Sequence, residues 1–121
     1  MTLLAALGVG VVGGLGAIAR FLLDGAVARR TGRAFPFGTL AVNVLGSFVL
    51  GVVAGAALSE GAYRIVATGL IGAFTTFSTW VFESHRLGED GRLRLGALNF
   101  AASLVLGVTA AWLGRRLGAA W

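Results

Sequence analysis

"GLIGAFTTFSTW", residues 69–80, decides how this chain is read. It sets four hydroxyl side chains, Thr75, Thr76, Ser78 and Thr79, among Gly69, Gly72 and three aromatics, Phe74, Phe77 and Trp80. The sequence on both sides is apolar. Hydrocarbon offers a hydroxyl no hydrogen-bond partner, and glycine weakens a helix. Such a stretch at membrane depth marks either an interrupted helix or a close helix crossing.

The depth itself follows from composition. Apolar residues make up 57% of the 121-residue chain and charged ones only 12%, with a mean hydropathy of +0.88. A soluble domain of this size needs a polar surface that such a composition does not supply. Twenty glycines and one proline fit membrane helices whose backbones approach closely. The absence of cysteine excludes disulfides and thiolate chemistry, and a single histidine, His85, argues against a classical zinc site. The net charge of +5 rests on ten arginines and no lysine. They gather at the ends of apolar runs rather than along one face, which favours interfacial anchoring over nucleic-acid binding. The first apolar run lacks a basic leader and further runs follow, so it reads as a retained helix rather than a signal peptide.

A hydrocarbon core of about 30 Å needs roughly 20 helical residues. Four runs qualify: about Leu3 to Phe21 or a little beyond, Thr39 to Leu58, Ile65 to Phe82, and Leu95 to Leu113. The connections "ARRTGRAFPFG", "SEGAYR" and "ESHRLGEDGRLR" are short, so residues 1–121 read as a single four-helix transmembrane domain. Pro36 suits the start of the second helix. Arg29, Arg30, Arg33, Arg86, Arg92 and Arg94, with Arg20 close by, fall on one side; Arg64, Arg115 and Arg116 fall on the other. By the positive-inside rule this biases the odd-numbered loops toward the cytoplasm.

Three spans carry polar strips. Thr39, Asn43 and Ser47 are each four residues apart and stack on one face of the second span. Asn99 and Ser103 do the same on the fourth, with Gly107 continuing the line. Two readings are open: hydrogen-bonding glue between helices, or the lining of a pathway. Gly10 with Gly14, and Ser47 with Gly51 and Gly55, have the spacing of close helix contacts. Gly69 and Gly72 precede threonines, a combination that permits an unwound turn whose freed carbonyls bind a cation. Phe77 and Trp80 share a helix face. Ring edges carry partial positive charge and coordinate a small anion without trapping it.

"GGLGAIARF" (13–21), "FPFGTLAVNVLGSFVLG" (35–51) and "GLIGAFTTFSTW" (69–80), followed by Glu83, resemble the Fluc-type (CrcB) fluoride channel family. The likeness spans most of the chain. It implies an all-α integral membrane protein with four transmembrane helices and a break in the third, assembling as an antiparallel dual-topology dimer. The partner would be a second copy, in a homodimer, or a paired homologous subunit. Two pores per dimer would carry fluoride passively out of the cytoplasm, across the inner (plasma) membrane. A structural sodium ion at the dimer centre would be held by the main-chain carbonyls of Gly72 and Thr75. For the fluoride pore the resemblance points to Asn43, Phe77, Trp80, Ser103 and the position of Asn99; Ser78 and Thr79 belong to the hydroxyl cluster that lines it. Arg20 matches a vestibule arginine. Trp80 stands where the family usually has a second phenylalanine, Asn99 where a tyrosine is common, and Val81 where a serine is. Glu83 belongs to the motif as an acceptor that orients donors toward the ion.

A small dual-topology proton-coupled multidrug antiporter is the alternative from another class. It needs a carboxylate within the first helix, and residues 3–19 contain none, while Asp24 lies near that helix's end. An inert assembly subunit would explain the small residues but not the asparagine, aromatic and threonine motifs together. No nucleophile–base pair, metal cluster or cofactor loop suggests an enzyme.

Overall fold

A computed structural model of the chain describes residues 2–120. All its regular structure is helical among those residues: α1 (Leu3–Thr31), α2 (Phe37–Gly55), α3 (Glu60–Tyr63), a π-helical segment (Arg64–Ile71), α4 (Gly72–Phe74), α5 (Phe77–Glu89) and α6 (Leu93–Ala119). The third span, Glu60–Glu89, is thus composite, and all four spans are long and apolar enough to cross a membrane. This is the architecture of a multi-pass membrane protein.

Local chemistry sets several of the helix ends. The Thr2 hydroxyl accepts the Ala5 N–H at the start of α1, and Ser59 accepts that of Ala62 at the start of α3. Gly32 closes α1 at φ +76°, a conformation that favours glycine. Several helices outrun the apolar runs. α1 continues ten residues past Phe21 and takes in Arg29 and Arg30, whose positive charge suits a helix C-terminus. α5 carries on through "ESHRLGE" to Glu89, with His85 and Glu89 paired one turn apart. The expected third loop therefore shrinks to residues 90–92. Hydropathy marks where a helix meets lipid, whereas hydrogen bonding carries the helix on into water.

Glycine governs how closely the helices pack. α2 lies along α6, and the contact is reciprocal. A Cβ on Gly51 or Gly55 would overlap the Ala111 or Arg115 carbonyl, and one on Gly114 or Gly118 would overlap the Phe48 or Val52 carbonyl. The small-residue spacing read on α2 is therefore packing. On α1 the outcome differs. Gly16 abuts the Leu70 carbonyl and Gly13 faces Gly69, whereas Gly10 and Gly14 meet nothing within 4 Å. The expected Gly10–Gly14 contact is not made within one chain. It is Gly13 and Gly16 that bring α1 against the π-helical segment.

Very little is buried. Val42, Ile71, Leu87 and Ala110 are the buried apolar residues, while Leu7, Val11, Ile18, Phe21, Leu98, Val105 and Trp112 are among many exposed ones. The surface is 7562 Å², against ~6,100 Å² expected for a soluble monomer of this mass. Four thin spans leave their apolar sides for lipid and for other protein.

Candidate functional site

The third span is interrupted at Thr75 and Thr76, both in extended conformation. Gly69 and Gly72 do not make the break. Gly69 is inside the π-helical segment, and Gly72 is helical at φ −59°, ψ −38°. Gly69 instead brings Val9 of α1 close: a Cβ there would sit 3.0 Å from the Val9 carbonyl. The two threonines act differently: Thr75 keeps its helical N–H bond to the Ile71 carbonyl, and only Thr76 supplies a substitute for a helical bond. Thr75 turns its hydroxyl back to the Ile71 carbonyl, 3.0 Å, the bond by which serine and threonine bend helices. Thr76 uses its hydroxyl as the N-cap of α5, accepting the Thr79 N–H at 3.3 Å.

Asn43 fills the remaining gap. Its Nδ2 donates to the Thr76 carbonyl and its Oδ1 accepts the Thr76 N–H, both at 2.8 Å. The side-chain amide imitates a peptide partner for a residue that has left the helix. One Nδ2 proton is left uncommitted by this pair. The diversion also frees main-chain acceptors. In an unbroken helix the Thr76 N–H would close on the Gly72 carbonyl, and the Thr79 N–H on that of Thr75. Both N–H groups go elsewhere. The carbonyls of Gly72 and Thr75 thus lose their helical donors, and two such carbonyl oxygens are the donor type a hard cation accepts.

Beside the break lies a groove of about 360 Å³. Asn43 and Ser47 line it from α2, Thr75, Thr76, Phe77 and Trp80 from the third span, and Ser103 and Gly107 from α6; no charged side chain lines it. Ser103 is 8% exposed, and its Oγ has no protein hydrogen-bond partner. Phe77 is 72% exposed, and Trp80 stands at 80° to it with ring centroids 5.4 Å apart. Hydroxyl, amide and ring edge therefore converge on one neutral groove. A second pocket, about 190 Å³, holds Arg20, Asp24, Thr39, Val42 and Thr79 and shares Thr76 with the first. Arg20 has no carboxylate within ion-pair distance among the described residues, although Asp24 is one turn away.

The sequence-derived site residues thus divide. Asn43, Phe77, Trp80 and Ser103 share the groove, with Thr75 at its edge, while Arg20 and Thr79 share the adjacent pocket. Ser78 is exposed on α5 and lines neither. Asn99, 1% exposed, is sealed between α5 and α6, where its Nδ2 donates to Ser84 Oγ at 2.7 Å. Glu83 accepts the hydroxyl of buried Thr39 at 2.5 Å, which commits the one proton of that hydroxyl to the carboxylate. Sequence reasoning missed the Asn43–Thr76 pairing and Ser84. The signal for the first was present: a threonine N-cap inside an apolar run needs a partner for its own backbone.

The family model described as "CrcB-like protein, Camphor Resistance (CrcB)" matches residues 7–115. The chain belongs to this family. Among its relatives, "Fluoride-specific ion channel FluC 2" of Mycolicibacterium paratuberculosis is 50% identical over 110 residues, 91% of this chain and 90% of its own. "Fluoride-specific ion channel FluC 1" of Leifsonia xyli subsp. xyli is 45% identical over 122 residues, covering 98% and 89%. "Fluoride-specific ion channel FluC" of Geobacter sulfurreducens is 43% identical over 113 residues, covering 89% and 91%. The groove and the helix break of this CrcB-like chain lie entirely within the matched region.

Proposed function

We propose that this CrcB-like chain is the subunit of a fluoride-selective channel that lets fluoride leave the cytoplasm passively. The observation that carries the reading is the neutral groove at the break. An anion in a water-poor site must exchange its hydration for protein donors, and a fixed positive charge there would hold it. Asn43 Nδ2, the Ser103 hydroxyl and the edges of Phe77 and Trp80 supply partial positive charge without a full one. Arg20, in the neighbouring pocket, raises the local anion concentration. The names of the relatives point to the same ion.

The working unit in this reading is an antiparallel dual-topology dimer with two pores. The exposed apolar sides of the chain, and the open stripe at Gly10 and Gly14, leave room for that second subunit. The carbonyls of Gly72 and Thr75, released from their helical donors, fit a structural sodium ion as ligands. When bound, such an ion supplies the positive charge that compensates those carbonyl dipoles. This chain's own part is to keep the carbonyls free, which it does by holding the Thr76 N–H on Asn43 and the Thr79 N–H on the Thr76 hydroxyl.

The test is fluoride efflux, read by electrode, from liposomes holding the purified chain alone, with chloride as control. Fast fluoride release with negligible chloride release is expected. Folded, dimeric protein that releases neither ion sinks the homodimeric channel.

A further inference from the structure

Trp80 brings to the groove a feature that phenylalanine lacks, an N–H donor, and the structure shows where it goes. Trp80 Nε1 donates to the main-chain carbonyl of Asn99 at 3.4 Å. That residue is buried and lies outside the groove. The indole is stacked on Phe100, with centroids 4.7 Å apart and planes 19° from parallel. A second pair of hydrogen bonds fixes the backbone beneath it. Ser84 Oγ donates to the Trp80 carbonyl at 2.9 Å, and Asn99 Nδ2 donates to Ser84 Oγ at 2.7 Å. Trp80, Ser84 and Asn99 thus form one chain of contacts joining α5 to α6.

We infer that Phe100 is a positioning residue for Trp80: it pins the indole in the groove wall with its N–H withdrawn, so that a passing anion meets only carbon edges there. The inference rests on the channel reading but goes beyond it. It assigns roles to residues outside the groove and states what the tryptophan does not do. An indole N–H facing the groove would be a strong donor and would retain the ion. Turned to the Asn99 carbonyl, it leaves the ring edge, with its weaker partial charge, next to Phe77.

Two measurements test this. In efflux assays, Trp80→Phe, which removes the N–H together with part of the groove wall, gives the reference rate for a wall without the donor. Phe100→Ala frees the indole and lowers the rate by at least about fivefold, the order of one lost aromatic stack. Combining Phe100→Ala with Trp80→Phe gives the rate of Trp80→Phe alone, since there is no N–H left to misplace. A Phe100→Ala defect that persists in the double variant, measured against Trp80→Phe alone, overturns the inference. The second measurement needs no transport. With Trp112→Phe and Trp121→Phe in place, acrylamide quenching of Trp80 fluorescence in folded protein rises on Phe100→Ala. Unchanged quenching overturns the positioning role even if no variant conducts. Silent efflux with raised quenching retains the positioning and strikes only at the channel reading.

Discussion

Asn43 carries two tasks that pull on the same amide. It satisfies both backbone groups of Thr76 and still presents a proton to the groove. Asn43→Ala leaves the Thr76 N–H unpaired in part-buried surroundings, a cost of about 1–3 kcal/mol. We expect a lower thermal midpoint in detergent together with lost fluoride efflux. Asn43→Asp still accepts the Thr76 N–H but, when ionised, cannot donate to its carbonyl and sets a negative charge beside the groove, so efflux falls further than stability does. Ser103 predicts the opposite pattern. Its buried Oγ has no protein partner, and Ser103→Ala removes an unmet polar group, leaving stability level or raised by up to about 1 kcal/mol. Efflux in the same variant drops several-fold if that hydroxyl meets the ion. A fall in stability without a fall in efflux would place Ser103 among the packing residues.

At the scale of elements, the decisive contact is the one between α2 and α6. A methyl group at Gly114 would overlap the Phe48 carbonyl, so Gly114→Ala is expected to destabilise the fold by about 1–3 kcal/mol. Gly14→Ala is the control. Nothing lies within 4 Å of its added Cβ, and an isolated subunit should gain about 1 kcal/mol from the better helix former. Detergent unfolding followed by tryptophan fluorescence compares the two. The break has its own test. Thr76→Val keeps the side-chain shape but removes the N-cap of α5, costing about 1 kcal/mol, and returns the Thr79 N–H to competition for the Thr75 carbonyl.

Across the whole molecule, the sides left open decide what the chain must meet. Gly72 is exposed in the single subunit, and a Cβ on it would meet only the Ala67 carbonyl, at 3.6 Å. If the freed carbonyls face a second copy, Gly72→Cys in this cysteine-free chain forms a disulfide-linked dimer in membranes, visible as a doubled mass on a non-reducing gel. Absence of that band, with a surface cysteine in the α5–α6 loop as the negative control, would argue against two breaks meeting.

The sequence by itself determined the four spans, the composite third one and the residue types of the groove. Those follow from short-range physics: apolar length against bilayer thickness, helical spacing, and the scarcity of hydroxyls in lipid. It misplaced what depends on a neighbour. Gly69 and Gly72, together with the threonines after them, read as an unwound turn because glycine weakens helices, yet both glycines are helical. The break falls at Thr75 and Thr76 because the Thr76 hydroxyl and Asn43, 33 residues away from Thr76, replace the lost helical bonds. Gly10 and Gly14 had the same spacing as Gly51 and Gly55, yet only the α2 pair packs within the chain. Asn99 and Ser103 lie on one face, but Asn99 is buried against Ser84 of α5 while Ser103 lines the groove. A helical period fixes which residues share a face. Only the tertiary structure decides what that face touches, because packing contacts and hydrogen bonds between spans depend on partners far away in sequence.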